Sequence, residues 1–200
     1  MTHSDRRAIS DTREQVLRHA IALFAAGGYD SVSMRSIANL VGISAPALYH
    51  HFPDKQSLYL AAMAHAFADK AQGIRESVST SGTPEQRIQR FVDRFTALMA
   101  EDVDFRMLLQ RELLDGDESR LRLVAEQVFR EPFVAISDLA KELAPDCDPH
   151  MLAISMIGLI LFHFETEPVR RFLPGGQDAH DRPEVIAQHV KRLLSRTLGV

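Results

Sequence analysis

Apolar residues recur at helical spacing along almost the whole chain. Val16, Ala20, Leu23 and Phe24 fall on one face of a helix. Asp11, with Glu14 three residues later, makes a capping-box pair ahead of it, and Gly27-Gly28 supplies the residue type that helix C-termini favour. Ser33 is placed to cap a short helix that turns Met34, Ile37, Ala38 and Val41 inward, and Gly42 stops it. Ser44 caps a second short helix with Leu48 and Phe52 on its inner face. Pro46 falls in its first turn, where a missing N–H costs little. Pro53-Asp54 interrupts the chain, and a long helix is predicted from about Lys55 to Ser79.

The second half keeps the same period. Ser79-Thr80-Ser81-Gly82 reads as a linker, and Thr83-Pro84-Glu85-Gln86 opens a helix with proline at its first position, running to about Ala100. Further helices are predicted over about Val103–Leu114, Glu118–Leu143 (with a kink or break expected from Pro132), Pro149–Phe164 and Pro183–Leu198. Between the last two, Pro174 to Arg182 reads as a mobile polar loop. On the final helix, Ile186, Val190, Leu193 and Thr197 share a side. No window alternates as a strand does, and no internal repeat is present. The expectation is an all-α fold of about nine helices.

Composition changes this picture little. The chain has 200 residues, 46% of them apolar, with a net charge of −4. Residues 1–56 hold six Lys/Arg against five Asp/Glu, so any basic surface there must be local. A single cysteine, Cys147, permits no internal disulfide, as suits a reducing compartment. The polar start, Met1 to Asp11, lacks the apolar core of a signal peptide. The longest apolar run, Met151 to Phe164, is too short to span a bilayer. A soluble cytoplasmic protein without membrane association is expected.

Chemistry concentrates at Ser33 to Phe52. Two short helices flank the turn Leu40-Val41-Gly42-Ile43-Ser44, in which glycine allows a tight reversal and serine caps the second helix. This is the signature of a helix-turn-helix, whose second helix enters the major groove by its N-terminal residues. The segment alone leaves open a purely structural helix pair.

A wider pattern bears on that choice. The residues Ile21-x-Leu23-Phe24, Gly27-Gly28-Tyr29, Ser33-Met34-x-x-Ile37-Ala38, Val41-Gly42-Ile43-Ser44, Leu48-Tyr49-x-His51-Phe52 and Lys55-x-x-Leu58 stand at correct mutual spacing. From Thr12 to Met63 the chain resembles the DNA-binding domain of the TetR family of transcriptional regulators. The resemblance implies a three-helix DNA-binding domain over residues 1–53. Residues 54–200 would form a larger helical domain for effector binding and dimerisation.

It also implies roles. Ser33, Arg35, Ser44, Ala45, Pro46, Ala47, Tyr49, His50 and Lys55 match positions that meet phosphates or bases. Many relatives carry lysine or glycine where Ala45 and Pro46 stand, so readout here is expected to lean on apolar contact, on Arg35 and on DNA shape. The implied function is a ligand-responsive repressor that binds a palindromic operator in double-stranded DNA as a homodimer and is released by a small-molecule effector.

The C-terminal part offers fewer signals. Glu112 is a carboxylate on the apolar stripe Phe105, Leu108, Leu109, and is either paired on a neighbouring helix or part of a ligand pocket. His163, alone in an apolar run, is open to the same two readings. Candidate ligand residues are Met107, Gln110, Arg111, Glu112, Phe129, Phe162 and His163. The helix Met151–Phe164 is apolar nearly all round and needs cover on more than one side, which a second subunit would supply. Candidate interface residues are Ala153, Ile157, Gly158, Leu161, Ile186, Val190 and Leu193. The i, i+4 pairs His65/Asp69 and His163/Glu167 have metal-ligand spacing but no third ligand, so neither a metal nor another cofactor is expected. No HExxH, GxSxG, GxGxxG or Walker pattern is present, which argues against an enzyme. A helical adaptor with a vestigial helix-turn-helix is the third reading; it would bury its groove-facing residues against protein.

Overall fold

The computed structural model describes residues 3–79 and 81–199; of residues 3–11 and 69 it describes the backbone course alone. Thr80, within the expected linker, lies outside the described residues. The described chain is helical, with α1 His3–Ser31, α2 Met34–Val41, α3 Ala45–His51, α4 Lys55–Ser79, α5 Pro84–Glu101 and α6 Val103–Asp115. These are followed by α7 Glu118–Val124, α8 Arg130–Leu143, α9 Pro149–Glu165, α10 Glu167–Arg170 and α11 Pro183–Leu198.

Most differences from the sequence expectation have local causes. Helix α1 begins before Asp11, which therefore lies inside it and not at its cap. Nothing in residues 3–11 breaks a helix, since that stretch holds neither Gly nor Pro. The break expected at Gly27-Gly28 falls at Gly28 (φ 77°, ψ 173°), a conformation that residues with a Cβ rarely adopt, and one more turn follows to Ser31. The expected helix over 118–143 is two helices joined by a π-helical turn, Ala125–Phe129. Pro132 has no N–H for the carbonyl of residue 128, and its ring crowds that carbonyl, so the ladder loosens just before it. This division and the short α10 raise the count from the expected nine helices to eleven among the described residues. The stretch after Pro174 holds a 3₁₀ turn, Asp178–Asp181, and is not wholly irregular.

The chain divides into two compact units: Met1–Asp69 with Val103–Val128, and Lys70–Asp102 with Phe129–Val200. The sequence-based boundary at 53/54 thus differs from the division by compactness. In the first unit α1 packs on α2 and α6, and α2 on α3. Its core is Val16, Ala20, Phe24, Ile37, Leu48, Phe52, Leu58, Tyr59, Phe105 and Leu108, all nearly fully buried. In the second, α5 packs against α8, α9 and α11 around Phe91, Val92, Met99, Leu139, Ala153, Met156, Ile160 and Val190. Helix α4 is continuous from the first unit's residues into the second's. No described helix is long and apolar enough to cross a membrane.

Candidate nucleic-acid interface

Helix α2 starts at a reciprocal cap. The Ser36 N–H donates to Ser33 Oγ at 3.0 Å, and the Ser33 N–H donates to Ser36 Oγ at 3.1 Å. It ends at Gly42 (φ 78°, ψ 27°), where the Ile43 N–H reaches back to the Ala38 carbonyl at 3.0 Å. That left-handed turn sets the angle between α2 and α3 and needs glycine for its φ, since a Cβ there would meet nothing within 4 Å. Helix α3 opens with the Ala47 N–H donating to Ser44 Oγ at 3.3 Å, with Pro46 in the first turn. Leu48 and Phe52 seat α3 in the core, both at most 2% exposed.

This anchoring leaves the other side of the motif open. Ser33, Arg35, Ser44, Pro46, Tyr49 and His50 are exposed, and Ala45 and Ala47 half-buried. None of the residues expected to meet DNA is buried within this chain. Two residues missed in the sequence border it. Arg13 of α1 places its guanidinium 5.0 Å from the centre of the Phe52 ring, next to His51. Burial, with the charges of His50 and Arg13, lowers the His51 pKa. Leu40, 53% exposed, projects from the end of α2. Distance in sequence hid Arg13, because only packing brings α1 to the end of α3.

Lys55 is held rather than loose. Its ammonium stands 4.2 Å from the centre of the Tyr29 ring and donates to the Asp30 carbonyl at 3.5 Å. Asp54 caps the helix that Lys55 begins, accepting from the Ser57 N–H at 2.6 Å, and this bond lowers the Asp54 pKa.

The candidate ligand residues are drawn from both units. Met107, Gln110, Arg111 and Glu112 belong to the first unit, and Phe129, Phe162 and His163 to the second. Glu112, 1% exposed, is paired: Tyr59 Oη donates to it at 2.6 Å, and Arg120 Nε lies 2.9 and 3.0 Å from its two oxygens. Burial, then the bond to Glu112, raises the Tyr59 pKa far above its ordinary value. Arg111 spends its donors on the Ala25 and Ala26 carbonyls, both at 2.6 Å. Phe162 is 65% exposed. His163 borders a cavity of about 350 Å³ with Arg170, His180, Ile186, His189 and Arg192. Arg170 donates to the His163 carbonyl at 2.9 Å and pairs with Asp181. Burial, with Arg170 and His189 nearby, lowers the His163 pKa. Among the described residues no three side chains are grouped to hold a metal; the Asp69 side chain of the His65/Asp69 pair lies outside them.

The candidate interface residues also separate. Ala153, Ile186 and Val190 are core positions of their own unit, at most 3% exposed, and so not available to a partner. Leu193 is 40% exposed, whereas its neighbour Leu194 turns inward. The open face of α9 carries Met151, Ile154 and Phe162, with half-buried Ile157, Gly158 and Leu161. The side shared by Ile186, Val190 and Leu193 thus divides, with the first two in the core and Leu193 open.

A capped, tightly turned helix pair with its second helix open to solvent has the geometry of a helix-turn-helix. Residues 16–62 match the family described as bacterial regulatory proteins, tetR family. The matched residues hold the helix-turn-helix, and the all-helical fold is shared with solved structures of TetR-family transcriptional regulators. It is 30% identical over 103 residues to the transcriptional activator FasR of Mycolicibacterium smegmatis, covering 51% of this chain and 47% of FasR. It is 26% identical over 109 residues to the transcriptional repressor KstR of the same organism, covering 54% and 53%. The matches thus span about half the length of these curated relatives. A crystal structure of AibR in complex with isovaleryl coenzyme A and operator DNA has a TM-score of 0.71 at 19% identity, covering 91% of this chain and 97% of AibR.

Proposed function

We propose that the chain is a ligand-responsive transcriptional regulator of TetR type, a repressor rather than an enzyme, that binds a near-palindromic operator as a homodimer in the cytoplasm. The observation that carries this reading is the open start of α3, with Ser44 and Pro46 exposed and Ala45 and Ala47 half-buried, on a helix whose other side is locked into the core by Leu48 and Phe52. Capped helix N-termini and the Arg35 guanidinium suit phosphate contact, and Ala45, Pro46 and Ala47 suit apolar contact with thymine methyl groups. Two such helices about 34–36 Å apart would read two half-sites one helical turn apart.

The open apolar face of α9, with Leu193 of α11, supports a second copy as its cover. The AibR complex supports the ligand half of the reading, since that protein of the same fold is seen with a small molecule and operator DNA. A ligand that prefers one conformer of the second unit would shift the first through the continuous helix α4. Selection of bound fragments from a genomic DNA pool tests the proposal. A single enriched palindromic site, bound by a dimer, is the expected result; retention of no fragment above background refutes it. Loss of that binding with the substrate or product of an enzyme encoded beside the site would identify the effector class.

A further inference from the structure

We infer that Arg111, Glu112 and Arg120 are positioning residues for the DNA interface, acting through Tyr29 on the Lys55 ammonium. The inference rests on the reading of this chain as a DNA-binding protein. All three lie outside residues 16–62, on α6 and α7, yet they belong to the first compact unit.

The connection can be followed atom by atom. The Arg120 guanidinium carbon stands 4.2 Å from the centre of the Tyr29 ring, the same distance at which that ring holds the Lys55 ammonium. One aromatic ring thus serves two cations. Arg120 cannot drift from it, because Glu112 accepts from its Nε and Asp115 from its terminal nitrogen at 3.2 Å. Glu112 is steadied in turn by Tyr59, whose ring meets Tyr29 edge-on with centres 5.1 Å apart. Arg111 fixes the backbone that delivers Tyr29. Its two bonds end on Ala25 and Ala26, directly before the break at Gly28.

Energetics argue that this arrangement does more than stabilise. A buried ion pair adds little over apolar residues of the same volume, because desolvation offsets attraction. What the pair adds is direction: a planar guanidinium held over one ring. Lysine has a long stem with several rotatable bonds, and an ammonium already held beside the motif loses less freedom when it meets a phosphate.

The test compares affinity for the selected duplex across a salt series. Each phosphate contact contributes about 0.9 to the slope of log affinity against log salt. Lys55→Met lowers the slope by about that amount. Joint replacement Glu112→Gln with Arg120→Met removes both buried charges together, which limits damage to folding. It is expected to weaken binding about fivefold while the slope stays near the wild-type value, because the Lys55–phosphate contact still forms but at a greater loss of freedom. Added to Lys55→Met, it causes no further loss. Arg122→Gln, which removes an exposed charge from the same helix, leaves the affinity unchanged. If circular dichroism shows the joint variant unfolded, Arg111→Met takes its place with the same expectation. An unchanged affinity, losses that add in the combined variant, or an equal loss in Arg122→Gln overturns the inference. A wild-type protein that binds no duplex refutes the parent reading instead, and this one with it.

Discussion

Glu112 carries the sharpest single-residue consequence. Its carboxylate is enclosed and meets both an arginine and a tyrosine, so its removal leaves a buried guanidinium without its main partner. Glu112→Ala is expected to lower unfolding free energy by about 3–5 kcal/mol in urea denaturation. A loss below about 1 kcal/mol would mean that Arg120 finds water or another partner. His163 gives a pH dependence. Its pKa is lowered by burial and by the nearby Arg170 and His189, so the folded state binds a proton less readily than the unfolded chain. The stability this contributes is present above the ordinary imidazole value of about 6.5 and falls away as the pH drops below it. His51 works in the same sense. The urea midpoint is therefore expected to fall between about pH 7.5 and 5.5, and less so in His163→Gln. An equal fall in that variant would assign the effect to other groups. That Glu112 was anomalous could be read from its place on an apolar stripe. Its partners could not, since Tyr59 stands 53 positions away and the two meet only by packing.

At the scale of elements, the caps were legible and the faces less so. Ser33, Ser44 and Thr83 cap the helices they precede, because a cap depends on residues within one turn. Ser33→Ala is expected to cost about 1 kcal/mol by thermal or urea unfolding. Helix α9 is apolar on both sides, so its sequence alone did not tell which side is core. Ala153, Met156 and Ile160 face inward, which leaves Met151, Ile154 and Phe162 open. Gly158 belongs to the face with the least crowding, as a Cβ there would meet nothing within 4 Å. Gly158→Leu should therefore leave the fold of a single chain intact and yet weaken dimerisation through α9. Sedimentation velocity would show the shift toward monomer; an unchanged dimer would place the interface elsewhere.

For the whole molecule, unit membership is the result that bears most on function. The first compact unit joins the helix-turn-helix to α6 and α7, so the motif shares its unit with residues far along the chain. Arg35→Ala, at the exposed start of α2, is expected to weaken binding to all duplexes alike and to lower the salt slope by about 0.9. A loss confined to one base position would make Arg35 a reader of sequence instead of a phosphate contact. The sequence by itself determined the helical class, the turn at Gly42, the caps and the open start of α3, because each follows from backbone preferences and partners within about one helical turn. Only the tertiary structure decided that Glu112 and Arg111 are committed to the protein's own framework, that Lys55 rests on Tyr29, and that Ala153, Ile186 and Val190 are core. Those outcomes depend on which distant segments pack together, and local spacing does not encode the phase of one helix against another.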